Sequence, residues 1–152
     1  MKYLLCYLFL LLTFLVDRAT KWIVCHLGAP SHEITSWLSF DLQLNRGISW
    51  SLFHSDNPWV FSLVSLGVAA VTACVVAHAF YQWHHDKPIY GQTFVIAGSL
   101  SNLLDRVMYG GVVDFIHLHI GQWSFAVFNV ADAAIVIGVC LMMLQEVYGD
   151  NE

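Results

Sequence analysis

The run from 59 to 83, WVFSLVSLGVAAVTACVVAHAFYQW, contains no Asp, Glu, Lys or Arg. A helix needs about 20 predominantly apolar residues to cross the hydrocarbon layer of a bilayer, and this run exceeds that length. Three further apolar runs lie at about 3–27, 88–109 and 125–148. The sequence therefore predicts an all-α membrane protein with four transmembrane helices, built as one domain over residues 1–152.

The composition agrees with a membrane protein, because 58% of the residues are hydrophobic and only 11% are charged. A soluble domain carries about 25% charged residues. The net charge of −5 comes without a basic cluster, which argues against nucleic acid and against a polybasic lipid-binding surface. The first apolar run resembles a secretory signal peptide, but VDRATKW follows it in place of a small-x-small cleavage site, so we predict a retained span.

Two segments between the apolar runs have the pattern of strands. In 37–45, WLSFDLQLN, apolar and polar residues alternate with period two, as in a half-buried strand. A second candidate, 112–120, follows Gly110 and Gly111, which are expected to end the third helix. We expect the segments at about 28–58 and 110–124 to form a small β-sheet cap at one membrane face.

Span counting gathers nearly all the polar groups near the membrane at one face. In four antiparallel spans, the ends of spans one and three lie on the same side as the beginnings of spans two and four. Random placement does not favour this arrangement, so the cluster predicts a functional site. Its members are Asp17, Asn45, Arg46, Asn102, Asp105, Arg106, Asp114, Asn129 and Asp132.

Within this cluster, NLLDR and NVAD each place an Asn and an Asp on one stripe of a helix. Two carboxyl groups brought together in a low-dielectric pocket share one proton near neutral pH, and such a pair can supply both the acid and the base of aspartic-protease chemistry. Asp132 is one candidate, while Asp114, Asp105 and Asp17 compete for the second place. The structural alternative is that these groups satisfy helix ends and one another.

Two other function classes have weaker support. A metal-dependent membrane hydrolase would use His117 and His119, whose H-x-H spacing suits metal ligands, but Asp114 faces the other way on a strand, so the acid would come from elsewhere. A small proton-coupled transporter would need polar groups along a path through the bilayer. The apolar run at 59–83 contains no Asp or Glu, which argues against a transporter.

Motifs at 16–22, 45–53, 98–116 and 128–135 follow one another along the chain, and through them the chain resembles the bacterial lipoprotein signal peptidases, the type II signal peptidase family, over nearly its whole length. VDRATKW (16–22) is similar to the family's first-span motif, and NRGISWSLF (45–53) to its Asn-x-Gly segment. GSLSNLLDRVMYGGVVDFI (98–116) resembles the Asn-x-x-Asp-Arg and Val-Asp-Phe block, and FNVADAAI (128–135) matches the Phe-Asn-x-Ala-Asp block.

The resemblance implies an aspartic endopeptidase that cleaves a prolipoprotein just before its diacylglyceryl-modified cysteine. It selects Asp114 as the partner of Asp132 in the catalytic pair, and it implies no metal and no cofactor. The expected partners are the prolipoprotein and membrane lipid, and we expect a monomer. Supporting or substrate-binding roles fall to Asp17, Asn45, Gly47, Asn102, Asp105, Arg106 and Asn129.

The orientation in the membrane is open from charge alone. Lys2 and Lys87 lie on one side, while four of the six basic residues lie on the side of the cluster, which the positive-inside rule would assign to the cytoplasm. Since these residues adjoin the acids, they can belong to the site instead. The resemblance implies a bacterial inner-membrane protein with both termini in the cytoplasm and its active site near the periplasmic face.

Overall fold

The structure, a computed structural model, describes residues 2–26, 31–47 and 55–149. In these stretches the chain forms four long helices and four strands, so most of the predicted NRGISWSLF segment (48–53) lies outside the described residues. The elements are, in chain order, α1 Lys2–His26, β1 Ser31–Thr35, β2 Leu38–Asn45, α2 Pro58–His84, α3 Tyr90–Tyr109, β3 Val112–Ile120, β4 Trp123–Ser124 and α4 Val130–Gly149.

Three helices of the described chain are long and apolar enough to cross a membrane: Tyr3–His26, Pro58–His84 and Val130–Tyr148. Their large apolar side chains point outward, with Leu63 of α2 at 69% exposure and Met143 of α4 at 65%. A continuous apolar surface of this kind is costly in water and suits contact with lipid. The chain is therefore a mostly helical membrane protein.

Helix α3 differs from the other three because polar residues dominate its buried face. Its 20 residues give a length of about 30 Å at 1.5 Å per residue, which is enough to span the hydrocarbon layer. It packs against α1, α2, α4 and β3, and it buries Ser101, Asn102, Asp105 and Arg106. It is not among the helices that qualify as spans, so the fourth span stays a prediction.

The two predicted strands are confirmed as β2 and β3, which pair antiparallel in a small sheet of order β1-β2-β3-β4. Helix α3 ends where the glycine pair predicted, with Gly110 in the left-handed conformation at φ 69°, and β3 begins two residues later. The alternation pattern did not reveal β1 and β4, because SHEIT is mostly polar and exposed and β4 has only two residues.

The fourth apolar run begins its helix later than the predicted residue 125. The backbone of Phe128 exchanges hydrogen bonds with Ile116, with N–O distances of 2.7 and 3.0 Å. This pairing holds the chain extended beside β3 up to Asn129, so α4 begins at Val130. Pairing within the sheet therefore determines where the segment between α3 and α4 begins and where it ends.

Helices α3 and α4 approach one another closely at Gly98. A Cβ atom at this position would collide with the backbone oxygen of Ala131 and lie 2.9 Å from Cγ1 of Ile135. Small residues allow such close backbone approach between helices in membranes. The contact brings Asn102, one turn further along α3, beside Asp132 in the first turn of α4.

Candidate active site

Asp114 lies on β3 and is almost completely buried, with 3% of its surface exposed. Its two carboxylate oxygens accept hydrogen bonds from different directions. Asn129 Nδ2 donates to Oδ1 at 2.7 Å, and Asn45 Nδ2, from the end of β2, donates to Oδ2 at 2.9 Å. The antiparallel pairing of β2 with β3 thus sets the orientation of this carboxyl group.

Asp132 lies in the first turn of α4 and forms a reciprocal cap with Asn129. The amide N of Asp132 donates to Asn129 Oδ1 at 2.8 Å, while Asp132 Oδ2 accepts from the amide N of Asn129 at 3.2 Å. This exchange satisfies backbone donors that a helix start otherwise leaves free. Asn102 Nδ2 donates to the other oxygen, Oδ1, at 2.8 Å, so α3 also holds the group.

Asn129 connects the two acids, because its side chain contacts Asp114 through Nδ2 and the backbone of Asp132 through Oδ1. The residue has no exposed surface. Its Nδ2 atom also lies 3.2 Å from Asn102 Oδ1 and 3.3 Å from the carbonyl oxygen of Val113. A single buried amide therefore fixes the position of β3 relative to the first turn of α4.

The pKa of Asp114 is raised from the ordinary 3.8 to about 7. Burial is the main cause, since it removes water from the charged form, and the nearby charge of Asp132 adds to the increase. Hydrogen bonds from Asn45 and Asn129 oppose the shift. Asp114 can consequently exchange a proton near neutral pH.

Both acids line one cavity of about 500 Å³, a volume within the range of small-molecule and cofactor sites. Much of its wall is apolar and comes from α2, α4 and the segment before α4. The polar part of the wall comes from α3, from the first turn of α4 and from β2 and β3. It consists of Asn45, Ser99, Asn102, Arg106, Asp114 and Asp132.

Ion pairs next to Asn102 join α1 to α3. Lys21 Nζ lies 2.8 Å from Asp17 Oδ2 and 2.7 Å from Asp105 Oδ2, and Arg18 Nη1 lies 2.6 Å from Asp105 Oδ1. The two negative charges of the aspartates are balanced by the two positive charges of Arg18 and Lys21, as buried ion pairs require. Lys21 Nζ also donates to Asn102 Oδ1 at 2.9 Å, so the ion pairs hold the side chain that contacts Asp132.

Asp17 and Arg106 link the site to two further segments. Asp17 Oδ1 accepts from the amide N of Ala131 at 2.8 Å, which ties α1 to the start of α4. Arg106 donates to the carbonyl oxygen of Gly47, whose own N donates to Asn45 Oδ1 at 2.9 Å. Arg106 therefore holds the chain just after β2 against the cavity.

The structure brings all nine predicted site residues into one connected set of contacts. Sequence reasoning missed three members of this set, Arg18, Lys21 and Ser101. The i, i+4 spacing of Lys21 from Asp17 indicates a pair on one helix face, and Arg18 follows Asp17 directly in the sequence. Ser101 donates to Asp17 Oδ2 at 2.6 Å, and nothing in SLSN distinguished it from an ordinary small residue.

The two histidines of the alternative hypothesis lie elsewhere. His117 and His119 are on β3, and the acid that they lacked is Asp41 of β2, whose Oδ2 contacts His117 Nδ1. Among the described residues, none of these three lines the cavity. This cluster is therefore separate from the two acids.

Comparisons with known proteins agree with the fold and with the predicted family. Residues 9–148 match the family model for signal peptidase (SPase) II. Proteins named lipoprotein signal peptidase from Brucella ovis and Brucella canis are each 36% identical to this chain, over 91% of its length and 87% of theirs.

Two solved structures described as bacterial membrane enzymes, both obtained by the in meso method, share the fold. One, at 2.3 Å resolution, has a TM-score of 0.78 with 24% identity and covers 96% of this chain and 89% of its own. The other, at 1.9 Å, has a TM-score of 0.73 with 24% identity and covers 94% and 92%. With the family match over nearly the whole length, these findings establish that the chain belongs to the signal peptidase II family.

Proposed function

We propose that this protein is an intramembrane aspartic endopeptidase that removes the signal peptide from diacylglyceryl-modified prolipoproteins, cutting just before the lipidated cysteine. The observation that carries the proposal is that Asp114 and Asp132 line one cavity and are connected through Asn129. The names of the relatives, lipoprotein signal peptidases, support the choice of substrate.

In the proposed reaction the two acids hold one proton between them and activate a water molecule. The ionised aspartate takes a proton from water as the oxygen attacks the carbonyl carbon, and the protonated aspartate donates its proton to the carbonyl oxygen. The aspartate that took a proton from water then gives it to the amide nitrogen as the C–N bond breaks, and the other aspartate recovers its proton from a hydroxyl of the tetrahedral intermediate. The pKa of Asp114, about 7, suits a group that must change protonation state in each cycle. The acids supply both acid and base, so the mechanism requires no cofactor.

The neighbouring polar residues take positioning roles in this proposal. Asn45 and Asn129 orient Asp114, and Asn102 orients Asp132. Asp17 and Asp105, with Lys21, hold α1, α3 and α4 at the distance that the acids require. Arg106 and Gly47 shape the polar wall next to the substrate peptide.

The membrane arrangement follows from the depth of the substrate. A diacylglyceryl-modified cysteine presents its peptide bond close to the interface, so the acids must lie at that depth. We place four spans in the bacterial inner membrane, α3 among them, with both termini in the cytoplasm and the sheet at the periplasmic face. The acyl chains stay in lipid beside the apolar helices while the peptide enters the cavity, and the enzyme acts as a monomer.

Incubation of the purified protein with a diacylglyceryl-modified prolipoprotein tests this function. Mass spectrometry should detect a new amino terminus at the lipidated cysteine and the released signal peptide. The same prolipoprotein without the lipid is the matched control and should remain intact. EDTA should leave the rate unchanged as long as the protein stays folded; inhibition of the folded protein by EDTA that Zn²⁺ reverses would favour the metal-dependent alternative, and an intact lipidated substrate would refute the proposal.

A further inference from the structure

A second cluster of functional side chains lies on the sheet, outside the cavity. Asp41, His117 and His119 each offer one possible metal-ligand atom, and these three atoms lie within 4.8 Å of one another. The two imidazole rings are close, with centroids 4.0 Å apart. All three residues are partly exposed, so an ion in water can reach them.

The strand register explains why these residues meet. Ser39 and Asp41 of β2 share one face by their two-residue spacing, as do His117 and His119 of β3, and Ser39 lies directly opposite His117. An irregularity in the pairing between Phe40 and Gln43 lets Asp41 approach His117. Such bulges re-aim side chains.

Hydrogen bonds from neighbouring residues hold two of the three side chains, His117 and Asp41, in place. His117 Nε2 lies 2.6 Å from Ser124 Oγ of β4; when this hydroxyl accepts from Nε2–H, the Nδ1 atom is free to bind a metal ion. Ser31 of β1 donates to Asp41 Oδ1, while Oδ2 is the atom on the side of His117. Support of this kind by surrounding groups is a regular feature of protein metal sites.

We propose that Asp41, His117 and His119 bind one Zn²⁺ ion, or a related divalent transition metal, which connects β2 to β3. One carboxylate oxygen and two imidazole nitrogens are a donor set that Zn²⁺ prefers, and they leave a fourth position for water. The ligand atoms of tetrahedral Zn²⁺ are about 3.4 Å apart, so small side-chain movements complete the site. The hydroxyl of Ser39, 2.8 Å from His119 Nε2, gives way to the ion.

Charge also favours a cation at this place. Asp41 accepts hydrogen bonds from the hydroxyls of Ser31 and Ser39. In the described part of the chain its partners are two hydroxyls and one imidazole. On β1, Glu33 lies opposite Ser39 and adds a second acid to this face.

The site has a structural role in the sheet and takes no part in the proposed peptide cleavage. His117 is three residues from Asp114 on β3, a distance of about 10 Å along a strand. An ion shared by β2 and β3 stabilises the same pairing that carries the contact between Asn45 and Asp114. Metal binding therefore stabilises the sheet beside the proposed catalytic pair without entering the cavity.

Equilibrium dialysis of the untagged, EDTA-treated full-length protein against Zn²⁺ tests the proposal, with metal measured by mass spectrometry. We expect one ion per chain. Loss of a residue that only hydrogen-bonds a metal ligand already weakens metal binding by about 10–100-fold. Loss of a ligand itself, in Asp41→Asn, His117→Gln or His119→Gln, should therefore weaken Zn²⁺ binding by at least about tenfold. His84→Gln, at the exposed end of α2, is the matched control and should bind like the wild type.

Co²⁺ provides a second measurement that needs no variant. Bound in place of Zn²⁺, it should give the visible absorption of a tetrahedral site and shift the histidine NMR signals.

Asp132→Asn should bind metal normally, so failure of the peptidase proposal and failure of this one are distinguishable. Absence of saturable binding to the wild type, or equal binding by the three ligand variants and the control, would overturn the proposal.

Discussion

At the scale of single residues, the site depends on amide side chains that hold acids in place. Asn129 is fully buried and reaches both Asp114 and the backbone of Asp132, while Asn102 reaches Asp132 on one side and Lys21 on the other. An amide offers donors and an acceptor without adding charge. It can therefore position a carboxyl group without fixing that group in its ionised form.

The raised pKa of Asp114 predicts a particular dependence of stability on pH. Between the ordinary value of 3.8 and about 7, the folded chain keeps a proton that the unfolded chain has lost, so stability falls as pH rises through this interval. Each pKa unit corresponds to about 1.4 kcal/mol. Unfolding of the protein in detergent from pH 4 to pH 8 should therefore show a steeper loss for wild type than for Asp114→Asn. Parallel curves would contradict the assigned shift.

Lys21 is predicted to be essential for stability. It is 1% exposed and contacts both Asp17 and Asp105, so Lys21→Met leaves the buried cluster with an excess negative charge. We expect a loss on the order of 3 kcal/mol, measured by denaturant or thermal unfolding in micelles.

Lys87→Met, at an exposed position in the α2–α3 turn, is the control for that measurement. It should change stability by no more than about 0.5 kcal/mol. An equally small effect of Lys21→Met would mean that the ion pairs contribute little to the fold.

At the scale of elements, the contact between α3 and α4 sets the geometry of the site. Gly98→Leu places a side chain against the backbone oxygen of Ala131, so α3 and α4 must separate. Asn102 then loses its hydrogen bond to Asp132. We expect a loss of about 2 kcal/mol or more together with loss of cleavage. Gly67→Leu is the control, because a Cβ atom there meets nothing within 4 Å. Equal stability and activity of the two variants would contradict this role of the contact.

The helices could be predicted from the sequence because lipid imposes a length and an apolar composition on each span. Predicted runs at 3–27 and 59–83 correspond to α1 and α2 within one or two residues. The start of α4 could not be predicted in the same way. Its delay comes from the pairing of Phe128 with Ile116, a tertiary contact that leaves no periodicity in an apolar run.

At the scale of the whole molecule, topology explains how much of the site was predictable. Antiparallel helices bring alternate ends together, so the gathering of Asp17, Asn102, Asp105, Asp114 and Asp132 at one end follows from counting runs. The choice of Asp114 over Asp105 did not follow from spacing and rested on resemblance to a family. In the structure Asp105 is engaged by Lys21 and Arg18, whereas the partners of Asp114 are neutral amides.

The cluster of Asp41, His117 and His119 on the sheet was much less predictable from the sequence. The H-x-H spacing was visible in the sequence, but the approach of Asp41 depends on strand register and on an irregularity between Phe40 and Gln43. Register is set by pairing over the whole sheet. An alternating pattern alone therefore does not predict which acid lies beside the histidines.

The central claim is that Asp114 and Asp132 together cleave the peptide bond, and single-turnover cleavage of a diacylglyceryl-modified prolipoprotein tests it most directly. Asp114→Asn and Asp132→Asn should each lower the rate by about 10²–10⁴-fold or more, while the proteins still fold and insert. Asp86→Asn is the matched control, since Asp86 lies in the α2–α3 turn at φ 55°, a conformation that Asn tolerates, and it should cleave at the wild-type rate. Cleavage at the wild-type rate by either of the first two variants would contradict the claim.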